Sequence, residues 1–460
     1  MAVPARLQLV VAAVLALFTL STLALPLDEN SSNNRTAPLP PSQDPFYGIP
    51  QNIEYFSPGA IIRHRTPTAP ILFTARPYSV ESAHQILYRT ADRFGTPTAT
   101  VLTVLVPPNP DFSKVVSYQI AEDAAYVNCA PSYVYQKGTE AAITNGTTTT
   151  QLEGLFIEAA LEQGWIVIIP DHEGPEASFL VSKAGAQATL DGIRAALQSM
   201  HLTCIEPDAA VALWGYSGGS VVSEWATEMQ PTYAPEVKIV GAALGGLVPS
   251  IANSAAVDNG SLAAGLIPAA FKGMATQYPE VAEELDRLIK PDFKAKFDKA
   301  DALCLGSLNK EFALTDFRTY FDTPDIFANK YISGAFRDND LGQMGTPQVP
   351  LFIYKAVQDE VSPVADSDQY YDDQCAKGVS IEYVRSAIGN HETELLAGSL
   401  RAAAWLRDRL EGKPQSGCNK TTYPTTLLDA SQVKFLPADL VATILAFLKI
   451  FTSPRTPGSQ

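Results

Sequence analysis

The sequence predicts an α/β protein: a mostly parallel, doubly wound sheet with an inserted helical cap. Three features predict it. Short apolar runs recur with helix-like stretches between several of them, the alternation that builds parallel sheets through right-handed crossovers. A glycine-flanked serine stands where one such run meets the helix-like stretch after it. One interval between strands is far too long for a simple crossover. A chain of 460 residues, 46% hydrophobic and 18% charged, can bury a large core. Its net charge of −16 argues against nucleic acid as a partner and against electrostatic docking on anionic membranes, because both need basic surface.

The first residues read as a secretory signal peptide, residues 1–24. Arg6 precedes the apolar run Leu9 to Leu20, and Thr22-Leu23-Ala24 offers a small-residue cleavage site after Ala24. The apolar core is short for a membrane anchor and a Pro-rich polar stretch follows it, so the mature chain is expected to be extracellular with no transmembrane segment. Residues 25–82 form an N-terminal arm, of which 25–45 are rich in Ser, Asn and Pro and expected to be disordered or wrapping. Strands are expected from about Ala83. Gln85 to Thr90 and Ala99 to Val106 read as an antiparallel pair. Val115 to Ile120, Trp165 to Ile169, Ala209 to Trp214, Ile239 to Leu244, Leu351 to Tyr354 and Ser380 to Val384 follow, mostly continuous apolar runs as parallel strands buried on both faces require. Helices are expected at Leu155 to Gln163, Thr189 to His201 and Ser220 to Gln230.

Between Leu244 and Leu351 lie about 100 residues, where a crossover needs about a dozen. Val281, Leu285 and Leu288 recur at helical spacing inside Pro279 to Ile289. Residues 251–345 are therefore read as a cap over the site, with a separate binding domain as the alternative. The core comprises residues 83–250 and 346–412. In the tail, 413–460, Leu440 to Phe451 is too short to span a bilayer; it is read as a packing helix, with an interfacial or flap-like role as the rival.

The chemistry centres on Gly215-Tyr216-Ser217-Gly218-Gly219, between the apolar run ending at Trp214 and a helix-like stretch beginning at Val221. Such a sharp strand-to-helix turn lifts a serine above the sheet with the next N–H aimed at a developing oxyanion. This marks Ser217 as a hydrolase nucleophile. In this architecture the partners follow in the order Ser, acid, His. Of five histidines only His391 lies after Ser217, in a loop after the last core strand. Imidazole suits proton transfer near neutral pH. Asp359 is the first carboxylate after the strand Leu351 to Ala356, with Glu360 as its rival. Asp366 and Asp368 read better as acids at a helix N-terminus. The oxyanion hole needs the Gly218 N–H and a second donor from the loop Ala121 to Ala125. Asp123 is the candidate, acting through its backbone N–H or as a protonated acid, since a carboxylate would repel the oxyanion.

There are five cysteines, Cys129, Cys204, Cys304, Cys375 and Cys418, and none shows metal-ligand spacing. An odd number in an oxidising compartment suggests two disulfides and one buried thiol, with Cys204 the natural odd one out. Asn30, Asn34, Asn145, Asn259 and Asn419 carry glycosylation sequons. No metal or other cofactor is expected, because the triad chemistry needs none.

Taken together, several motifs resemble the fungal secretory lipase family, the lipase A-like branch of the α/β-hydrolases. They are Asp44-Pro45-Phe46-Tyr47, Ser117-Tyr118-Gln119 through Glu122-Asp123, and Cys129-Ala130-Pro131-Ser132-Tyr133. Asp171-His172-Glu173-Gly174, the Ser217 pentapeptide, Asp359-Glu360-Val361, Gln374-Cys375-Ala376-Lys377-Gly378 and Asn390-His391 extend the match over most of the mature chain. The resemblance implies a Ser217, Asp359, His391 triad, an oxyanion hole at Asp123 and Gly218, and a helical cap that binds the acyl chain. It also implies disulfides Cys129–Cys304 and Cys375–Cys418, leaving Cys204 free. His172 and Glu173 are read as structural. The expected activity is hydrolysis of lipid esters such as triacylglycerols, with the substrate met at a lipid–water interface. The alternatives are an esterase or deacetylase of a bulky secondary metabolite such as a terpenoid toxin, an acyltransferase, or a catalytically silent binding protein.

Overall fold

A computed structural model describes residues 37–73, 80–139, 146, 148–427 and 433–452. The expected signal peptide, the start of the arm, and the sequons at Asn30, Asn34 and Asn145 lie outside these residues.

Ten strands form one sheet: β1 (Ile61–Arg65), β2 (Ser82–Ala91), β3 (Pro97–Val106), β4 (Asp111–Gln119), β5 (Trp165–Pro170), β6 (Ala210–Tyr216), β7 (Ile239–Gly245), β8 (Leu351–Ala356), β9 (Ile381–Ser386) and β10 (Cys418–Tyr423). Their order is β1-β2-β3-β5-β4-β6-β7-β8-β9-β10. The first three strands pair antiparallel, β3 runs antiparallel to β5, and every pairing from β5 to β10 is parallel. β5 and β8 are buried along their whole length, which is why their sequences are almost unbroken apolar runs. The strands begin earlier than Ala83, however, and the tail supplies one. β1 reads Ile-Ile-Arg-His-Arg and β10 Cys-Asn-Lys-Thr-Thr-Tyr; both are edge strands with one side open, so neither needs an apolar run.

Helices cover both faces. α1 (Thr148–Leu161) packs on one face of the sheet, and α2 (Ser182–Gln198) and α3 (Gly218–Tyr233) pack on the other. Six helices follow between β7 and β8: α4 (Ile251–Asp258), α5 (Leu266–Ala275), α6 (Pro279–Leu288), α7 (Pro291–Phe297), α8 (Leu305–Phe312) and α9 (Lys330–Asn339). α10 (Val364–Ala376) joins α2 and α3, while α11 (His391–Leu410) and α12 (Ala438–Thr452) join α1. Leu440, Ile444 and Leu448, four residues apart, lay one side of α12 into that core. The inserted helices have an apolar core of their own, with the Phe271 ring stacked on Phe336 at 6.1 Å and edge-on to Phe321 at 6.0 Å. Burying each such side chain contributes about 1.5–3 kcal/mol, so this layer is a packed body rather than a long loop.

Candidate active site

Ser217 sits between β6 and α3 with φ 51° and ψ −124°, a conformation that costs a non-glycine residue about 1–3 kcal/mol. The sheet holds it there: its N–H donates to the Gly245 carbonyl at 2.9 Å, and its own carbonyl accepts from Ser220 Oγ at 2.7 Å. The turn is so tight that a Cβ on Gly219 would lie 2.0 Å from the Gln119 carbonyl oxygen.

His391 is the first residue of α11. Asn390 caps that helix, accepting the Thr393 N–H at 3.0 Å while Thr393 Oγ1 accepts the Asn390 N–H at 2.8 Å. The capped turn fixes where the imidazole starts, and Nε2 lies 2.9 Å from Ser217 Oγ while Nδ1 lies 2.7 Å from Asp359 Oδ2. Asp359 follows the carboxyl end of β8 with its side chain fully buried. It accepts four hydrogen bonds: Oδ1 from the Val361 and Ser362 N–H groups at 3.0 and 2.8 Å, Oδ2 from His391 and from Lys355 Nζ at 3.0 Å. Burial alone would raise its pKa; His391 and Lys355 reverse that and hold the carboxyl below its ordinary range. For His391, burial opposes the charged ring, but the facing carboxylate outweighs it and the pKa is raised. Glu360 does not reach the ring; its Oε2 accepts the His391 backbone N–H at 3.0 Å. Asp366 lies in the first turn of α10, and Asp368 is paired with Arg385 at 2.8 Å.

Asp123 lies beyond β4 with φ 49°. Its Oδ1 is poised over Gly218, so close that a Cβ there would be 1.9 Å away. Gly218 opens α3, where an N–H has no acceptor within the helix. Burial pushes the Asp123 carboxyl up to about 7, against the pull of His391. Glu122 and Glu173 are buried beside it, each raised by burial and by neighbouring acids. His172 Nε2 meets the Ile120 carbonyl at 2.8 Å, and burial lowers its pKa to about 4, so it is a neutral prop behind the loop.

Beside Ser217, Gly218 and Asp123 opens a cleft of about 540 Å³, counting the space continuous with solvent. Its walls include Phe179, Leu180, Val221, Ile267 and Phe336. Cys129 is bonded to Cys304, stapling the loop after β4 to the inserted helices, and Cys375 to Cys418, joining α10 to β10. Cys204 is free but exposed rather than buried: it ends the single turn Met200–Thr203 in a left-handed conformation at the surface. Asn259 is half-buried with Nδ2 donating to Asp316 at 2.7 Å, and Asn419 is exposed on β10. Sequence reasoning assigned no role to Lys355, although a lysine within an otherwise apolar strand, four residues before the acid, was a readable signal. It also missed the polar side chains of α4 that face the cleft, Ser254 and Asp258.

A mostly parallel sheet with a serine on a strained strand-to-helix turn, touching a histidine that touches an aspartate, defines a serine hydrolase of the α/β-hydrolase class. Residues 139–418 match the family model described as secretory lipase, and the chain belongs to that family. It is 42% identical to Lipase A of Arthroderma benhamiae over 94% of this chain and 92% of that protein. Lipase 5 of Candida albicans is 39% identical over 83% of each chain. The crystal structure of Candida antarctica lipase A superposes with a TM-score of 0.78 at 27% identity, covering 89% of this chain and 96% of that one. The chain is thus an ester-hydrolysing enzyme of an extracellular family, and these matches do not favour a metabolite esterase or an acyltransferase. No helix among the described residues is long and apolar enough to cross a membrane.

Proposed function

We propose that the chain is an exported lipase acting on triacylglycerols or related lipid esters, with Ser217, His391 and Asp359 as its triad. The observation that carries this reading is the continuous contact from Ser217 Oγ through both ring nitrogens of His391 to Asp359 Oδ2. Ser217 Oγ attacks the ester carbonyl as His391 Nε2 takes its proton; the alcohol then leaves with that proton. Water repeats the sequence on the acyl-enzyme and frees the acid. Asp359 keeps the proton of the resting ring on Nδ1 and stabilises the imidazolium. The Gly218 N–H and the protonated Asp123 carboxyl hold the oxyanion. The apolar cleft beside Ser217 supports a fatty acyl chain, and residues 251–345 act as the cap that binds it. Residues 1–24 direct export, with cleavage after Ala24, and the enzyme meets its substrate at the lipid–water interface. A fluorophosphonate is expected to label the wild-type protein but not Ser217→Ala, and only the wild type should release fatty acid from a triglyceride emulsion. Equal labelling of both proteins would remove Ser217 from the reaction.

A further inference from the structure

Away from Ser217, Gly218 and Asp123 the cleft is lined by apolar side chains, except that α4 presents two polar ones a turn apart, Ser254 and Asp258. Both are nearly inaccessible, at 6% and 3% exposure. Neither Ser254 Oγ nor Asp258 Oδ1 has a hydrogen-bond partner among the described residues. A helical serine ordinarily returns its hydroxyl to the carbonyl four residues back, and Ser254 does not. Each unpartnered polar atom carries an uncompensated desolvation cost, and alanine and leucine would fill the same positions without it. Sites that bind apolar ligands place a few polar groups in this manner to fix orientation.

We propose that Ser254 and Asp258 form a hydrogen-bonding subsite for an aliphatic hydroxyl of the ester substrate. The inference rests on the reading of Ser217 as the nucleophile and names the chemical class that its cleft selects. Burial, with Asp359, Glu360 and Asp123 nearby, pushes the Asp258 carboxyl up to about 9. At neutral pH it is an uncharged acid that both donates and accepts, the complement of a hydroxyl rather than of an ammonium group. The hydroxyl has two sources, a hydroxylated acyl chain or the free hydroxyl of a partial glyceride. A site built around a hydroxyl discriminates strongly against the analogue that lacks it, because its own polar groups are then left unpaired.

The test measures kcat/KM in two arms. One compares aryl esters of a series of hydroxylated fatty acids with the plain acid of the same length; the other compares a monoacylglycerol with the propyl ester of the same acid. In the wild type the hydroxylated substrate is expected to win by about 10-fold or more in one arm, which identifies the source. Ser254→Ala/Asp258→Leu is expected to bring that ratio near one while gaining on the plain esters, and Asp258→Asn to retain it. A wild type that takes fluorophosphonate yet shows equal kcat/KM in both arms overturns the subsite and leaves Ser217 standing. So does a preference that survives in the double variant. A wild type that takes no label overturns the nucleophile, and the subsite with it. Should the double variant fail to fold, the wild-type ratios decide alone.

Discussion

Asp359 and Asp123 reach the same serine by different routes, and the protein treats them in opposite ways. Both carboxyls are buried, which by itself penalises charge. Asp359 is met by two backbone N–H groups, an imidazole and a lysine, and its pKa falls. At Asp123 only the pull of His391 opposes burial, and the pKa climbs to about 7. Burial sets the size of the penalty; the donors decide whether it is overcome. The difference suits the two tasks proposed for them, since a triad acid must be an anion and an oxyanion-hole acid must not be.

Exchanging a carboxyl for an amide of the same shape separates the two cases. Asp359→Asn removes a real charge and is expected to lower kcat by about 10⁴-fold, because the amide no longer holds the required ring tautomer. It also leaves Lys355 buried without its counter-ion, so a marked fall in melting temperature is expected. At Asp123 the amide keeps a donor in place. Asp123→Ala should cost about 10²–10³-fold in kcat, and Asp123→Asn far less. The pH profile distinguishes them further. In the wild type kcat/KM on a soluble ester rises with pH as His391 loses its proton, then falls as Asp123 ionises around 7. Asp123→Asn removes the alkaline fall. If wild-type activity climbs unbroken to high pH, the Asp123 side chain is not a donor and only its backbone N–H remains.

Lys355 offers a way to move one site towards the other. Its Nζ donates to Asp359 and to the Leu247 carbonyl at 2.8 Å, from a fully buried side chain. Lys355→Met should cost about 10-fold in kcat below neutral pH, a loss comparable to one charge-assisted hydrogen bond. The lysine also holds the His391 pKa down. Its removal should shift the acid limb of kcat/KM to higher pH, so that the deficit against the wild type narrows as the pH is raised. A uniform loss at every pH would reduce Lys355 to a packing residue.

The two regions also differed in how far their sequences announced them. Ser217, His391 and Asp359 were legible because chain order and strand ends constrain them: a pentapeptide after β6, the only downstream histidine, the first acid after β8. The continuous apolar runs gave the central strands for the same reason, burial on both faces. Edge strands β1 and β10 were not legible, since half-exposed backbone imposes no pattern. The six inserted helices announced only their length. Their side chains contact one another and the loops after β4 and β5 through tertiary packing, so Ser254 and Asp258 acquire meaning only once folded. Exposure of Cys204 was hidden likewise, because cysteines are usually buried and only its left-handed turn places it outside.

The smallest effect belongs to Glu173, and its sign is what matters. Burial, Glu122 and Asp123 all raise its pKa above the value it has in an unfolded chain. The folded protein therefore binds a proton that the unfolded chain releases, and stability is lost as pH rises from the unfolded pKa towards the folded one. Glu173→Gln supplies a neutral group of the same shape and cannot lose a proton. At pH 5 the variant should differ from the wild type by about 0.5 kcal/mol or less, since both groups are neutral in the fold. At pH 8 it should be the more stable of the two, with kcat changed by less than about 3-fold because the acid does not line the cleft at Ser217. Urea melts at the two pH values read this directly. A variant that is less stable at pH 8 would mean that Glu173 is charged in the folded protein, and the contrast between a carboxyl relieved by donors at Asp359 and carboxyls kept neutral by burial behind Asp123 would fail at its base.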